Sequence, residues 1–461
     1  MTISIFLGLT FFMMGLLSFS KNFINIICSL REKGSSSKMV VSSVILIVSI
    51  CLLGIVSQSM WTDVLWQLVV FIFLSFILVQ LISIFIYPKF FKLVTSIIKN
   101  THFFKRLVTC LLLSCLGLLL IGRSYIGPVP NINDCESDKD INVLCVLTNP
   151  EDIAVTPDGK FLIVSEFGGI EPLEEMVPGN LVLLNLESLT KSSLPISFLD
   201  QEWGEELCAR SEEAQFGPHG IDLLKRTDGR FQLAVVNHMG GESIEMFELI
   251  NKENQWMLEW KGCVKPSADK YLNDVSLQSD GSFFVTHMYD RESTISDFLA
   301  IALFKYDTGH VLHWNSKRGL QKVPNSDGAM PNGIAYDEKN DVLYVNFNLG
   351  DKVTALKAST GEHISSRYLN SPDNLYLKNN SIWVTALDHE ILDVVAGCGS
   401  EFRTTCPLPF SVYELSSDSL NIKKKDSFKE SVFGLPTVAV PVNDKIWLGS
   451  FHSNRIAFYY F

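Results

Sequence analysis

The sequence predicts an all-β six-bladed β-propeller preceded by an α-helical transmembrane region of about four helices. Three observations carry this. A hairpin pattern recurs six times over the second two-thirds of the chain, the first 122 residues hold four apolar segments, and charge is divided unevenly between the two parts.

The spans come first, at residues 3–19, 39–56, 64–87 and 107–121, against the roughly 17–25 apolar residues that a helix needs to cross a bilayer. The charges of the first segment follow it (Lys21, Arg31, Lys33, Lys38), the reverse of the order in a cleavable signal peptide. Loops 20–38 and 88–106 are basic and loop 57–63 is not. The positive-inside rule therefore puts both basic loops in the cytoplasm and everything after residue 121 in the periplasm, the exterior or a lumen. Gln67 and Gln80 lie in the spans but no acid, Arg or His does, so anchoring is expected rather than transport.

Residues 1–125 carry ten Lys and Arg against Glu32 and Asp63, a net of +8, which leaves −20 for the remainder of a chain whose total is −12. So acidic a domain excludes nucleic acid, whose phosphates require clustered Lys and Arg, and suits a cation. A linker rich in Gly, Pro, Asn and Asp (123–140) separates the membrane region (1–122) from the propeller (141–461).

The repeat is clearest between Asn149 and Glu166. Glu151-Asp152 opens a short apolar run, Pro157-Asp158-Gly159 turns the chain, and residues 161–164 form a β-branched and aromatic strand. The plan returns at His219-Gly220-Ile221, Asn273-Asp274-Val275, Asn332-Gly333-Ile334, Asp373-Asn374-Leu375 and, more loosely, Pro436-Thr437-Val438. Six copies at intervals of roughly 40 to 70 residues fit four-stranded blades. Further strand pairs read at 243–249 with 256–260 and at 298–306 with 311–314. The last repeat has only 455–461 left, so residues 141–147 are expected to complete its blade and close the ring.

Equivalent positions of inner strands meet at one mouth of the channel, so Glu151, His219, Asn273, Asn332 and Asp373, with Asn374 beside it, are expected to converge. Oxygen donors without Cys or a His cluster describe a hard cation of six to eight ligands, calcium more than zinc. Asp152 and Asp274, one residue further in, with a backbone carbonyl near Ile221, suit a second, deeper cation. The plainer reading is that such Asn and Asp side chains only satisfy strand ends.

Pro150-Glu151-Asp152, Gly217-Pro218-His219-Gly220-Ile221, Val235-Val236-Asn237-His238, Leu272-Asn273-Asp274, Asn332-Gly333-Ile334, Asp373-Asn374 and Phe451-His452 resemble, in the same order, the paraoxonase/arylesterase family of six-bladed propellers. The resemblance runs from about residue 141 to 461. It implies a catalytic calcium on Glu151, Asn273, Asn332, Asp373 and Asn374, and a structural calcium on Asp152, Asp274 and the carbonyl of Ile221. It also implies that His219 activates water with the help of His238. His287, His389, Phe451 and His452 are expected at the substrate pocket, and His310, His313 and His363 at the surface.

The family joins its first and last strands by a disulfide, whereas Cys145 finds no cysteine in 455–461. Six cysteines (135, 145, 208, 263, 398, 406) follow the spans, with Cys398–Cys406 among the pairings open to them. The reading is a membrane-anchored, calcium-dependent hydrolase of lactones and aryl esters. Its rivals are a gluconolactonase-like sugar lactonase, a strictosidine-synthase-like propeller, which lacks this ligand set, and a calcium-stabilised binding propeller without turnover.

Overall fold

The structure, a computed structural model, describes residue 132 and residues 134–169, 176–198, 201–211, 213–389 and 405–461. The four apolar segments lie outside these residues. Among the described residues no helix is long and apolar enough to cross a membrane.

Strand β1 (Asn142–Leu144) precedes six successive inner hairpins. Blade one is β2 (Pro150–Val155), β3 (Phe161–Glu166), β4 (Asn180–Asn185) and β5 (Lys191–Ser193). Blade two adds β6 (Ile196–Phe198), parallel, to β7 (Pro218–Lys225), β8 (Phe231–Asn237), β9 (Ser243–Lys252) and β10 (Gln255–Val264). Blade three is β11 (Lys270–Leu277), β12 (Phe283–Asp290), β13 (His310–Asn315) and β14 (Gly319–Lys322). Blade four is β15 (Pro331–Asp337), β16 (Val342–Phe347), β17 (Lys352–Lys357) and β18 (His363–Tyr368). Blade five is β19 (Pro372–Lys378), β20 (Ser381–Leu387), β21 (Phe410–Ser416) and β22 (Ile422–Phe428). Blade six is β23 (Pro436–Val442), β24 (Lys445–Ser450) and β25 (Ile456–Tyr460), completed by β1, which pairs antiparallel with β25. The inner strands β2, β7, β11, β15, β19 and β23 touch in a closed cycle.

The second strand of each blade is apolar on both faces because each face meets a different neighbour. In β3, Leu162 and Val164 pack with Val438, Val440 and Trp447 of blade six. Ile163, pointing the other way, packs with Leu233, Val235 and Phe247 of blade two. Ring closure thus rests on the hydrogen bonds of β1 to β25, while Cys145 turns back to Cys135. Cys208 joins Cys263, and Cys406 is also disulfide-bonded. Arg455, fully buried, donates to the carbonyls of Ile132 (2.6 Å) and Val432 (3.2 Å), tying the end of the linker to the last blade.

Two expectations are corrected. The strand read at 298–306 is largely helix α1 (Ile295–Phe304). Thr294 at its N-cap and Asp297 three residues on form a capping box, with the Thr294 N–H donating to Asp297 at 2.7 Å. Phe298 and Ile301, one helical turn apart, are buried beside Tyr271 and Tyr289. An apolar run without turn signals fits either period, and here the cap decides it. His310 and His313 are half-buried rather than at the surface: His313 stacks on Phe284 and bonds Gln278, and His310 packs edge-on to His287. His363 is exposed as expected.

Gly220 and Gly333 mark where neighbouring inner strands come closest. A Cβ on Gly333 would stand 2.5 Å from the Asn374 Cα, and one on Gly220 2.6 Å from the Asn273 carbonyl oxygen, both backbone atoms that cannot turn aside. Gly333→Ala is expected to lower stability by about 1–3 kcal/mol through overpacking, read as a shift in the denaturation midpoint; an unchanged midpoint would show that the inner strands have slack.

Candidate active site

The polar residues that open each repeat are bulge residues. In every inner hairpin the ladder skips near its start, after Pro150 with Glu166, Pro218 with Asn237, Leu272 with His287 (itself preceded by Lys270 with Asp290 and Tyr271 with Tyr289), Pro331 with Phe347, Pro372 with Ala386 and Pro436 with Ser450, resuming at Asp152, Ile221, Val275, Ile334, Leu375 and Ala439. Glu151, His219, Asn273, Asn332, Asp373 and Asn374 fall in the skipped stretches. A bulge leaves residues unpaired and re-aims their side chains, here at one end of the channel. Five of the six residues that precede the skip are Pro, which has no N–H to lose from the ladder.

Neighbouring blades hold the released backbone. Thr286 donates to the Asn332 carbonyl at 2.7 Å, Asn346 to that of Asp373, Thr385 to that of Thr437 and Thr437 to that of Glu151. Asp152 accepts the N–H groups of Ile153 (2.8 Å) and Ile221 (2.7 Å), and Asp274 those of Val275 (2.8 Å) and Ile334 (2.9 Å). Both aspartates therefore stitch one blade to the next. Ile221 meets Asp152 through its N–H, not its carbonyl.

At the mouth, Glu151 Oε1 lies 3.3 Å from His219 Nε2 and accepts from Asn374 Nδ2 at 3.3 Å. Asn332 hydrogen-bonds the Asp373 carboxyl, and Glu151 and Asp373 feel each other's charge. Asn273 donates to the Met288 sulfur at 3.4 Å. Glu151 Oε2 and the Oδ1 atoms of Asn273, Asn332 and Asn374 are buried without a hydrogen-bond partner. Four stranded oxygens from four blades are costly, at about 1–3 kcal/mol each, and a cation bound among them would satisfy them together.

Burial pushes Glu151 and Asp152 up to about 8 and raises Asp373 and Asp274 well above the carboxylate range; the charges of Glu151 and Asp152 add to the shift of Asp373 and Asp274 respectively. Burial, then His238, pushes His219 well below its ordinary value. Glu151 Oε1 and His219 Nε2 therefore face each other across the mouth, both shielded from solvent. Among the described residues no three His, Cys, Asp or Glu side chains could hold a metal by themselves, so a cation here must draw on the Asn oxygens.

Behind His219 stands a second layer. His238 Nε2 lies 3.1 Å from His219 Nδ1, and His238 Nδ1 lies 2.9 Å from Glu242 Oε1. Phe167 stacks on His219 and Tyr271 on His238, each with ring centroids 4.3 Å apart. The expected pocket residues also sit at this end of their hairpins. His287 is buried near the end of β12, His389 is buried two residues past β20, and Phe451 and His452 are half-buried just past β24.

Sequence reasoning missed Glu242, Phe167 and Tyr271, which belong to no repeat position. It also missed Thr286, Asn346 and Thr385, which bond the next blade, and Ser165, which accepts the Asp152 N–H within blade one at 3.0 Å. All four carried a readable signal, a polar residue after Val164, Val285, Val345 and Val384 in the second strand of four blades.

The arylesterase family profile matches residues 134–415. Mechanosensory abnormality protein 6 of Caenorhabditis elegans is 26% identical over 189 residues, covering 37% of this chain and 46% of that protein, so less than half its length is matched. A gluconolactonase from Xanthomonas campestris aligns over 73% of this chain and 99% of its own at 14% identity and a TM-score of 0.42. A periplasmic gluconolactonase of Pseudomonas aeruginosa aligns over 65% and 78% at 13% identity and 0.37. These two likenesses are distant and bear on neither the site nor its chemistry.

His287 and His310 face each other among Lys270, Lys322, Asp269, Asp290, Asp327 and the Tyr271 carbonyl, and burial above all holds both down to about 4. Unfolded histidine titrates near about 6.5, so the stability they contribute is complete above that pH and is lost as pH falls towards 4. His310→Asn is expected to flatten the acid limb of thermal stability between these values; a slope equal to wild type would place the acid sensitivity elsewhere.

Proposed function

The chain belongs to the arylesterase family, and we propose that it hydrolyses lactones and aryl esters at the channel mouth with calcium as cofactor. Family membership supports ester or lactone hydrolysis as the reaction class. The cation rests on one observation, the four buried oxygens of Glu151, Asn273, Asn332 and Asn374 that no protein donor reaches.

Glu151, Asn273, Asn332, Asp373 and Asn374 would hold the catalytic ion, and Asp152, Asp274 and the carbonyl of Ile221 a structural one. Bound calcium supplies a Lewis acid for the ester carbonyl and for the negative charge that develops on its oxygen. The chain's own part is the base. His219 is neutral and presents Nε2 to the channel, where it takes a proton from water as the water oxygen bonds the acyl carbon and the ester C–O bond breaks. The alcohol leaves with a proton returned from His219. Phe167 and Tyr271 hold the two imidazole planes and keep water from their faces. His287, His389, Phe451 and His452 are assigned to the pocket wall.

The same reading places residues 3–19, 39–56, 64–87 and 107–121 in a membrane as an anchor, with the propeller on the non-cytoplasmic side. The disulfides Cys135–Cys145 and Cys208–Cys263 support an oxidising compartment. Protease added to the cytoplasmic face of sealed membranes is expected to leave the propeller intact, and digestion from that face would reverse the topology.

The enzymatic reading predicts turnover of a medium-chain lactone, an acyl-homoserine lactone or phenyl acetate that chelation abolishes and calcium restores. His219→Gln is expected to lose about 10²- to 10⁴-fold in rate while calcium still raises its melting temperature. Asn273→Leu removes a stranded oxygen, so in chelator it is expected to melt no lower than wild type, yet to gain less from calcium. A folded protein that calcium stabilises but that turns over none of the three esters would favour a binding propeller instead.

A further inference from the structure

We infer that Glu242 is a positioning residue that sets the tautomers of both histidines and so holds His219 with its Nε2 lone pair towards the channel. This rests on the reading of His219 as the base, and it adds a group that no repeat position or family motif named above contains.

Glu242 is buried in the turn between β8 and β9. Gly240 (φ 72°) and Gly241 (φ 102°) take the chain through the left-handed region, which lets a residue four positions after His238 come back to its ring. Glu242 Oε1 accepts the Leu272 N–H at 2.6 Å, and Oε2 accepts from Arg291 Nη1. His238 Nδ1 lies 2.9 Å from Oε1 and 3.1 Å from Oε2. A carboxylate already taking an amide N–H and a guanidinium N–H has no proton to offer, so Nδ1 of His238 must be the donor.

The rest follows atom by atom. With its one ring proton on Nδ1, His238 has its lone pair on Nε2, which lies 3.1 Å from His219 Nδ1. His219 Nδ1 must then carry a hydrogen and donate it. His219 Nε2, facing Glu151, is left unprotonated and is the nitrogen that can accept a proton from water. The stacked rings of Phe167 and Tyr271, with Tyr289 stacked behind Tyr271, oppose the ring flips that would exchange the nitrogens. A buried acid that holds an imidazole in its working tautomer is an established device, and in a serine protease exchanging that acid for its amide costs about 10⁴-fold in kcat. Here one carboxylate governs two rings in series.

Glu242→Gln offers one amide oxygen to three donors, Leu272 N–H, Arg291 and His238 Nδ1–H, so a single tautomer at His238 is no longer enforced. Two-bond ¹H–¹⁵N spectra of the full-length chain, labelled in its nine histidines, read the tautomers without any substrate. Wild type is expected to show Nδ1–H at both His219 and His238. Glu242→Gln is expected to show His238 mixed or inverted with His219 following, and a fall in kcat of about 10²- to 10⁴-fold at little change in KM. Glu242→Asp, which keeps a carboxylate, is expected to retain the wild-type tautomers and recover part of the turnover. Nε2–H at His238 in wild type would overturn the inference, and that spectrum decides the matter even if the Gln variant does not fold. A Gln variant that loses turnover with both tautomers unchanged would also overturn it, leaving Glu242 a structural role. Wild-type tautomers as inferred, without hydrolysis of any ester, would uphold the inference while removing the hydrolase reading; hydrolysis with reversed tautomers would do the opposite.

Discussion

At the head of each of the six inner strands the hairpin ladder skips, and the backbone released there has nowhere to go but the neighbouring blade. Thr286 reaches Asn332, Asn346 reaches Asp373, Thr385 reaches Thr437 and Thr437 reaches Glu151. The same skip turns Glu151, His219, Asn273, Asn332, Asp373 and Asn374 off the sheets and into the channel. Ring closure and site assembly are therefore one event. A blade that failed to dock would leave both a neighbour's carbonyl and a channel oxygen unplaced, which makes the mouth as cooperative as the fold.

The mouth has two halves with opposite hydrogen-bond balance. Around His238 the donors and acceptors match: Glu242 meets Leu272, Arg291 and the imidazole, and each histidine ring is stacked. Around Glu151 they do not match, because oxygens outnumber donors and buried acids lie together without a Lys or Arg among their charge partners. A satisfied network is rigid and a starved one is receptive. Under the proposed hydrolase reading the first half would hold the base and the second a cation that polarises the ester carbonyl.

Legibility in the sequence followed from what repeats. The blade count, the inner hairpins, closure by the segment before the first repeat, and Glu151, His219, Asn332, Asp373 and Asn374 as neighbours could all be read, since each is a local pattern copied at a steady interval. The outer parts could not. Residues 298–306 are apolar at both helical and strand spacing, and only the Thr294–Asp297 cap and the packing of Phe298 against Tyr289 settle the helix. The parallel strand β6 has no signature because three residues carry too little pattern. His310 and His313 looked superficial because an outer strand of a blade can still be covered by its neighbours.

The sequence by itself determined the ring, since alternating apolar residues and turn signals act over a few residues and need no knowledge of what lies across the channel. It also determined the chemical type of the mouth, oxygen donors without cysteine, since residue type at each repeat position is read directly from the chain. Only the tertiary structure decided which of those oxygens go unpartnered, that Asp152 and Asp274 clasp backbone amides of the next blade, and that Glu242 and Arg291 stand behind the histidines. These depend on contacts between residues up to 223 positions apart, as Glu151 and Asn374 are. Distance and direction across the channel fix them, and neither is written in any local stretch of chain.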